Sequence, residues 1–252
     1  MPNLPMHIYL ANQVAEQLDR SYVYDHLGSY FLGSTTPDIR AMTKWPREQT
    51  HFAPLSVEEV GTGTRTMFRM HPELSQDVSP ATRAFLAGYV SHLAADEVWI
   101  TSVFRPNFDT SQELSRVTED KVEANIWDRA LQLNMDRQIL PQLTGETNPQ
   151  EHLPCSDQDV SVSFLEDGLL TEWKDWVGRF MGWEFTWDRL KRALNRMYRD
   201  DEDVQRTVEH FLEGMPRSLE QVYEKVPEGE VTAYQQRAVA ATIEQVREYV
   251  PE

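Results

Sequence analysis

Five residues in the first hundred combine metal-binding side chains with positions where a polar group is hard to accommodate: His7, Asp38, His51, His92 and Asp96. His92 and Asp96 stand four apart within GYVSHLAADEVW, residues 88 to 99, on one stripe with Phe85 and Tyr89. This stretch reads as a helix that is apolar on most sides, so its carboxylate needs a partner; an unpaired buried charge is strongly unfavourable. An arginine, a satisfied hydrogen-bond network or a metal ion would meet that need. Histidine and carboxylate are ligands of zinc and related divalent ions, and an i, i+4 pair on a helix lets both reach one ion. Taken singly, each residue has an ordinary reading: His7 as a core or surface histidine, Asp38 as a turn acid, His92 and Asp96 as a structural pair. Their coincidence in a histidine-poor chain favours a metal centre, because His26, His71, His152 and His210 lie in no comparable surroundings.

The elements that must position these residues follow from hydrophobic periodicity. From His7, apolar residues recur at Leu10, Ala11, Val14, Ala15 and Leu18, the stripe of an amphipathic helix with His7 on its buried face. A second helix is expected from Tyr22 to Leu32, stopped by Gly33. STTPDIR then turns, since Pro37 disfavours helical geometry at Thr36, and Asp38 follows on a loop. Residues 42–56, with Pro46 and Pro54 flanking REQTHF, are expected to be irregular and to deliver His51. Ser79-Pro80 reads as an N-cap with proline at the first helical position, opening the helix of His92 and Asp96. EEVGTGTRT, with Thr62 and Gly63, reads as a turn, lacking the lysine of a nucleotide-binding loop. Further helices are expected over about 111–140, 160–181, 187–199, 202–215, 217–226 and 231–250. The class is all-α, with 1–252 as a single domain: a metal-site half over about 1–140 and a C-terminal helical half over about 160–252.

Bulk properties narrow the function classes. With 24 basic against 41 acidic residues the formal charge is −17, which repels phosphate backbones and anionic lipid, so nucleic acid is an unexpected partner. Cys155 is the only cysteine, so there is no internal disulfide and no thiolate zinc cluster. The N-terminus lacks the basic start and continuous apolar run of a secretory signal, and no stretch suits a membrane span. A cytoplasmic protein without stable membrane insertion is the expectation. No G-x-S-x-G motif supplies a serine nucleophile. Arg40 and Arg47 lie near candidate ligands and are the candidate phosphate-binding residues. In EWKDWVGRFMGWEFTW, residues 172 to 187, the aromatics Trp173, Trp176, Phe180, Trp183 and Trp187 recur at helical spacing, which favours core packing over a binding surface.

Four pieces of text carry a family likeness: LPMHIYLA around His7, FLGSTTPDI at 31 to 39, QTHF at 49 to 52, and AFLAGYVSHLAADEVW at 84 to 99. They resemble the zinc-dependent phospholipase C family, whose fold is shared with single-strand nucleases, and the likeness covers roughly the first hundred residues. It implies an all-α, multi-helix globular bundle holding zinc ions that hydrolyse phosphoesters. It also implies that Asp38, His51, His92 and Asp96 hold one ion and that His7, with Asp96 bridging, holds a second. Two departures stand out. Secreted members use their mature N-terminal amine as a ligand, whereas here six residues precede His7. A third ion needs two more histidines and a glutamate, but the text after Asp96 runs WITSVFRPNF, leaving only acids such as Glu119, Asp120, Glu123 or Asp128.

Two divalent ions roughly 3.5–4 Å apart can lower the pKa of a bridging water and stabilise charge on attacking and leaving oxygens. The expected activity is therefore metal-dependent hydrolysis of a small or lipid-derived phosphoester by a metal-activated water. The cofactor is zinc or a related metal, one to three ions with two favoured, with Asp96 bridging and Asp38 as a ligand that also takes the proton. The same ions suit other Lewis-acid chemistry on a metabolite, such as hydrolysis, dehydration or cyclisation, and a metal-stabilised binding protein without turnover is the third reading.

Overall fold

The helix that carries His92 and Asp96 is the axis of the molecule. In the computed structural model, which describes residues 1–112, 115–144, 148–199 and 201–250, every regular element among the described residues is helical. The helices used below are α1 (Leu4–Leu18), α2 (Leu27–Thr35), α3 (Arg47–His51), α4 (Thr62–Met70), α5 (Pro80–Trp99) and α6 (Lys121–Ile139). They are followed by α7 (Leu169–Met181), α8 (Asp188–Tyr198), α9 (Glu202–Glu213), α10 (Arg217–Lys225) and α11 (Glu228–Tyr249).

Helix α5 starts where the sequence predicts, with Ser79 Oγ accepting from the Thr82 amide at 3.0 Å. Almost every residue from Ala81 to Trp99 is buried, as expected of a helix apolar all round and packed on by others. It runs on through a π-helical stretch, Ile100–Phe104, into Arg105–Phe108. Helices α1, α2, α4 and α11 pack along it, and α6 packs against α1, so its polar residues face helices from both ends of the chain.

The tightest crossing is between α2 and α5. A Cβ at Gly33 would lie 2.0 Å from the Phe85 carbonyl oxygen, and one at Gly88 would lie 1.9 Å from that of Tyr30. Both positions therefore need glycine for close backbone approach. Gly33 accordingly lies inside α2 and does not stop the helix, which runs to Thr35 after a separate short helix, Ser21–Asp25.

Other boundaries differ from the sequence reading for local reasons. Within the segment expected to be irregular, residues 47–51 form α3, which ends at Phe52 in the left-handed conformation (φ 55). The expected turn at Thr62 and Gly63 begins α4, because left-handed Gly61 (φ 93) precedes it. The helix expected from residue 111 starts at Lys121, where Asp120 caps by accepting from the Glu123 amide at 2.8 Å. The helix expected from residue 160 starts at Leu169. Val160, Val162 and Phe164 alternate, and side chains satisfy the backbone there: Ser161 N donates to Thr82 Oγ1 at 3.0 Å, and Thr82 Oγ1 donates to the Asp159 carbonyl at 3.1 Å.

Candidate metal centre

The five residues singled out from sequence converge on α5. His7 comes from α1, Asp38 from the 3-10 turn Thr36–Ile39 after α2, His51 from the end of α3, and His92 and Asp96 from α5. His7, His51, His92 and Asp96 are each no more than 1 % exposed, whereas the Asp38 side chain is 29 % exposed and forms the solvent side of the group.

Backbone and hydroxyl contacts set the histidine tautomers. His92 Nδ1–H donates to the Ser34 carbonyl at 2.8 Å, which leaves the Nε2 lone pair facing the cluster. Thr50 Oγ1 lies 3.0 Å from His51 Nδ1 and 3.4 Å from the Arg47 carbonyl oxygen; with the ring proton on Nδ1, shared with this hydroxyl, His51 Nε2 is a lone pair facing the cluster too. The rings of His7 and His92 stack at 3.7 Å and 10°. Close packing therefore keeps His51 and His92 ready to act as neutral ligands: burial lowers the pKa of His51 and takes that of His92 well below the usual value.

The separations fit a metal better than hydrogen bonds. His7 Nε2 is 3.4 Å from Asp96 Oδ1, His51 Nε2 is 3.2 Å from Asp96 Oδ2, His92 Nε2 is 3.8 Å from the same oxygen, and His51 Nε2 is 3.8 Å from Asp38 Oδ1. Ligands about 2.0–2.1 Å from a tetrahedral zinc are about 3.3 Å from one another. His7 Nε2, His51 Nε2, His92 Nε2 and Asp96 Oδ1 are buried without hydrogen-bond partners, an arrangement that is costly unless a cation takes the lone pairs. Two overlapping groups have ligand atoms all within 4.8 Å of one another: His7 with His92 and Asp96, and Asp38 with His51 and His92. His92 Nε2 has a single lone pair and can serve one ion. The Asp96 carboxylate, with two oxygens, is the group able to span two.

Arg47 takes a different place from an open phosphate fork. It is buried, its Nη2 donates to Asp96 Oδ2 at 2.9 Å, and its Nη1 contacts Met1 Sδ at 2.7 Å. Although burial would raise the pKa of Asp96, the neighbouring Arg47 charge holds it well below the carboxylate range. Arg40 is half-buried, with its Nε donating to the Trp45 carbonyl at 3.5 Å. Glu97, the next residue after Asp96, accepts from the Gly61 and Gly63 amides at 2.5 and 2.6 Å and so anchors the start of α4. Burial raises its pKa to about 7.

None of the downstream acids considered for a third ion belongs to either group of mutually close ligand atoms among the described residues. Asp120 caps α6, and Glu123 accepts from Thr118 Oγ1 at 2.6 Å. Glu119 is exposed, and Asp128 is buried, accepting from Trp99 Nε1 at 3.2 Å and Gln132 Nε2 at 2.7 Å. Burial pushes the Met1 amine down to about 6, against the field of Asp128.

Residues 6–99 match the family model described as zinc dependent phospholipase C. That segment carries the family signature. It covers a little over a third of the chain and includes all five candidate ligands. No curated protein and no solved structure gives a significant match. The family match and the His/Asp cluster support, at the level of the family, a metal-dependent hydrolase of phosphoesters. Among the described residues no helix is long and apolar enough to cross a membrane.

The aromatic segment divides between core and surface. Trp173 is fully buried and donates through Nε1 to Thr35 Oγ1 at 3.2 Å, next to the turn that carries Asp38. Its ring stacks on Trp176 at 4.9 Å, and Trp176 on Phe180 at 5.3 Å, while Trp183 at the end is 57 % exposed. The sequence reading missed the Ser34 carbonyl, the Thr50 hydroxyl and the Arg47 to Asp96 contact. Only the proximity of Ser34 and Thr50 to candidate ligands hinted at the first two.

Proposed function

We propose that the chain is a zinc-using hydrolase of phosphoester bonds of the phospholipase C type, acting on a small or lipid-derived phosphodiester or phosphomonoester. The observation that carries this reading is the set of buried histidine Nε2 atoms without hydrogen-bond partners, two of them 3.4 and 3.2 Å from the Asp96 carboxylate oxygens. Asp38, His51, His92 and Asp96 Oδ2 would hold one ion, with His7 and Asp96 Oδ1 on a second. When bound, such ions acidify water and neutralise charge on a phosphoryl group.

The chain's own residues supply the rest. Asp38, the solvent-facing member, marks the side from which water and ester approach, and takes the proton as the water oxygen bonds to phosphorus and the ester oxygen leaves. His51 and His92 stay neutral because burial and fixed Nδ1–H donors hold them so. Arg47 fixes the Asp96 carboxylate, and Arg40, two residues from Asp38, offers its terminal nitrogens to a phosphate oxygen. The acid-rich balance and lone, exposed Cys155 suit a cytoplasmic location.

Elemental analysis of the purified protein beside His92→Ala and Asp96→Ala, with a chromogenic phosphodiester assayed on the same samples, tests the reading. Two equivalents of zinc in wild type, reduced in both variants together with hydrolysis, are expected. A folded wild type that takes up neither zinc, manganese nor iron would refute the metal centre. Metal uptake without hydrolysis of phosphodiester or phosphomonoester substrates would point to a metal-stabilised binding protein.

A further inference from the structure

Behind the His7 side of the centre lies a second group of buried polar atoms, none of them among the ligands above except through Asp96 and His7. Asp136, on α6, is fully buried; its Oδ2 accepts from Asn3 Nδ2 at 2.8 Å, and its Oδ1 has no hydrogen-bond partner. Tyr234, on α11, is fully buried too, its ring set edge-on to Trp99 at 5.0 Å and its hydroxyl unpartnered. His7 Nδ1 and Asp96 Oδ1 are unpartnered as well. These four atoms come from α1, α5, α6 and α11; α11 packs on α1 and α5, and α6 packs on α1.

Geometry brings the groups together: Asn3, whose side chain holds Asp136, accepts through its carbonyl from His7 N–H at 3.2 Å, and Tyr234 packs edge-on against Trp99, three residues after Asp96. Tyr234 lies in the fields of Asp96 and Asp136, and Asp136 lies in the field of His7. Burial, reinforced by those two acids, holds the Tyr234 hydroxyl well above its usual pKa, so it remains a donor. With a cation on Nε2, His7 would carry its proton on Nδ1 and be a second donor. Two donors therefore stand opposite two acceptors, Asp96 Oδ1 and, once ionised, Asp136 Oδ1. Buried polar groups left unpaired are costly, and a buried water with two to four polar partners is the usual way to join them. Asp136 belongs to neither group of mutually close ligand atoms, so it does not act as a direct ligand. Arg189, whose charge also acts on Asp136, is held elsewhere: its Nη2 donates to the Trp183 carbonyl at 3.1 Å, and its guanidinium lies 5.0 Å from the Phe180 ring centroid.

We propose that Asp136 and Tyr234 are positioning residues for the second ion, fixing His7 and Asp96 through buried water so that His7 Nε2 and Asp96 Oδ1 converge on it. Both lie outside residues 6–99, so the far half of the chain completes the centre. The inference rests on the two-ion reading above and assigns the chain's own support for the weaker arm, which has two protein ligands where the other has four.

Zinc titration of the metal-free protein by calorimetry, followed in parallel with the cobalt absorption spectrum, provides the test. Tyr234→Phe is the lead variant because it removes only the hydroxyl. It is expected to weaken one equivalent by about 10–100-fold while the other stays within about threefold. The metal-free Phe variant should still fold, melting at most a few degrees below wild type, because it loses one hydrogen bond to the buried water. Asp136→Ala should lose the same equivalent, and Asp136→Asn, which keeps an acceptor oxygen, should restore it. Wild-type affinity for both equivalents in Tyr234→Phe and Asp136→Ala would overturn the inference and leave the two-ion reading standing. So would a lower melting temperature of the metal-free Phe variant with unchanged affinities. A wild type that takes up fewer than two equivalents would overturn the two-ion reading, and this inference with it.

Discussion

Gly88→Ala tests whether the α2 to α5 crossing sets the metal centre. The added methyl would sit 1.9 Å from the Tyr30 carbonyl oxygen and 2.9 Å from the Ser34 nitrogen. Non-bonded carbon contacts settle near about 3.5 Å, so the two backbones must part by on the order of 1.5 Å. Ser34 rides on α2, and its carbonyl holds His92 Nδ1 at 2.8 Å; a parting of that size takes the bond beyond the usual limit of about 3.2 Å. Overpacking costs about 1–3 kcal/mol and the lost buried hydrogen bond about 1 kcal/mol more, while alanine's better helix propensity returns about 1 kcal/mol. The balance is a loss of about 1–3 kcal/mol, or about 3–10 °C for a chain of this length. Freeing the His92 ring should also weaken metal binding by about 10–100-fold. A 100-fold loss removes up to about 2.7 kcal/mol of ligand stabilisation, so the loaded protein should lose more than the metal-free form. Circular dichroism melts of both forms, with a zinc titration, measure this. Gly178→Ala is the control, since nothing lies within 4 Å of its Cβ, and it should be neutral or stabilising. A Gly88→Ala protein that melts with the control and binds zinc like wild type would refute the reasoning.

Asp96→Ala in the metal-free protein strands the buried Arg47 guanidinium and should cost about 3–5 kcal/mol in urea melts, whereas adding Arg47→Met should recover much of it; equal single and double variants would show that the pair does not matter. Metal-free wild type should weaken as pH falls below about 6.5, because burial depresses the folded-state pKa of His51 and His92 and the unfolded chain binds those protons first. His92→Gln should flatten that acid limb, and an unchanged slope would count against a buried neutral His92. Asp136 acts with the opposite sign. Its folded pKa is raised to about 7 by burial, so its contribution is full below about 3.9 and lost as pH rises towards 7, and Asp136→Asn should gain about 3 kcal/mol relative to wild type between pH 5 and 8. Parallel profiles would refute it. Gly63→Ala places a methyl 2.5 Å from the His51 carbonyl and should lower zinc affinity as well as melting temperature; a change in temperature alone would confine Gly63 to packing.

The parts of this structure that could be read from sequence are those set by local rules. Ser79-Pro80 opens α5 because a hydroxyl cap and a proline at the first position are chemical features of four consecutive residues. His92 and Asp96 share a face because helical spacing requires it, and His7 lies inward because its stripe does. The misjudged boundaries lie where tertiary contacts override local preference. Gly33 looks like a helix stop, but it stays helical because the Phe85 carbonyl needs the space a side chain would fill. Residues 160–168 look helical, but hydroxyls of Ser79 and Thr82 meet the backbone there and hold it in turns.

The same distinction explains the site. Ligand types and their order are chemical and legible, whereas what orients them comes from across the fold: a carbonyl of α2, a hydroxyl of α3, an arginine turned inward. Asp136 and Tyr234 are the clearest case. Each sits in a helix where an acid or a tyrosine attracts no notice, and only the packing of α6 against α1, and of α11 against α1 and α5, brings them to the helices of His7 and Asp96. The candidate centre, whose five residues lie in residues 6–99, is thus packed against helices from beyond that segment. An excised 1–140 fragment would lose Tyr234, Trp173 and the cover of α11, so it should bind zinc more weakly than the whole chain even though every candidate ligand is present.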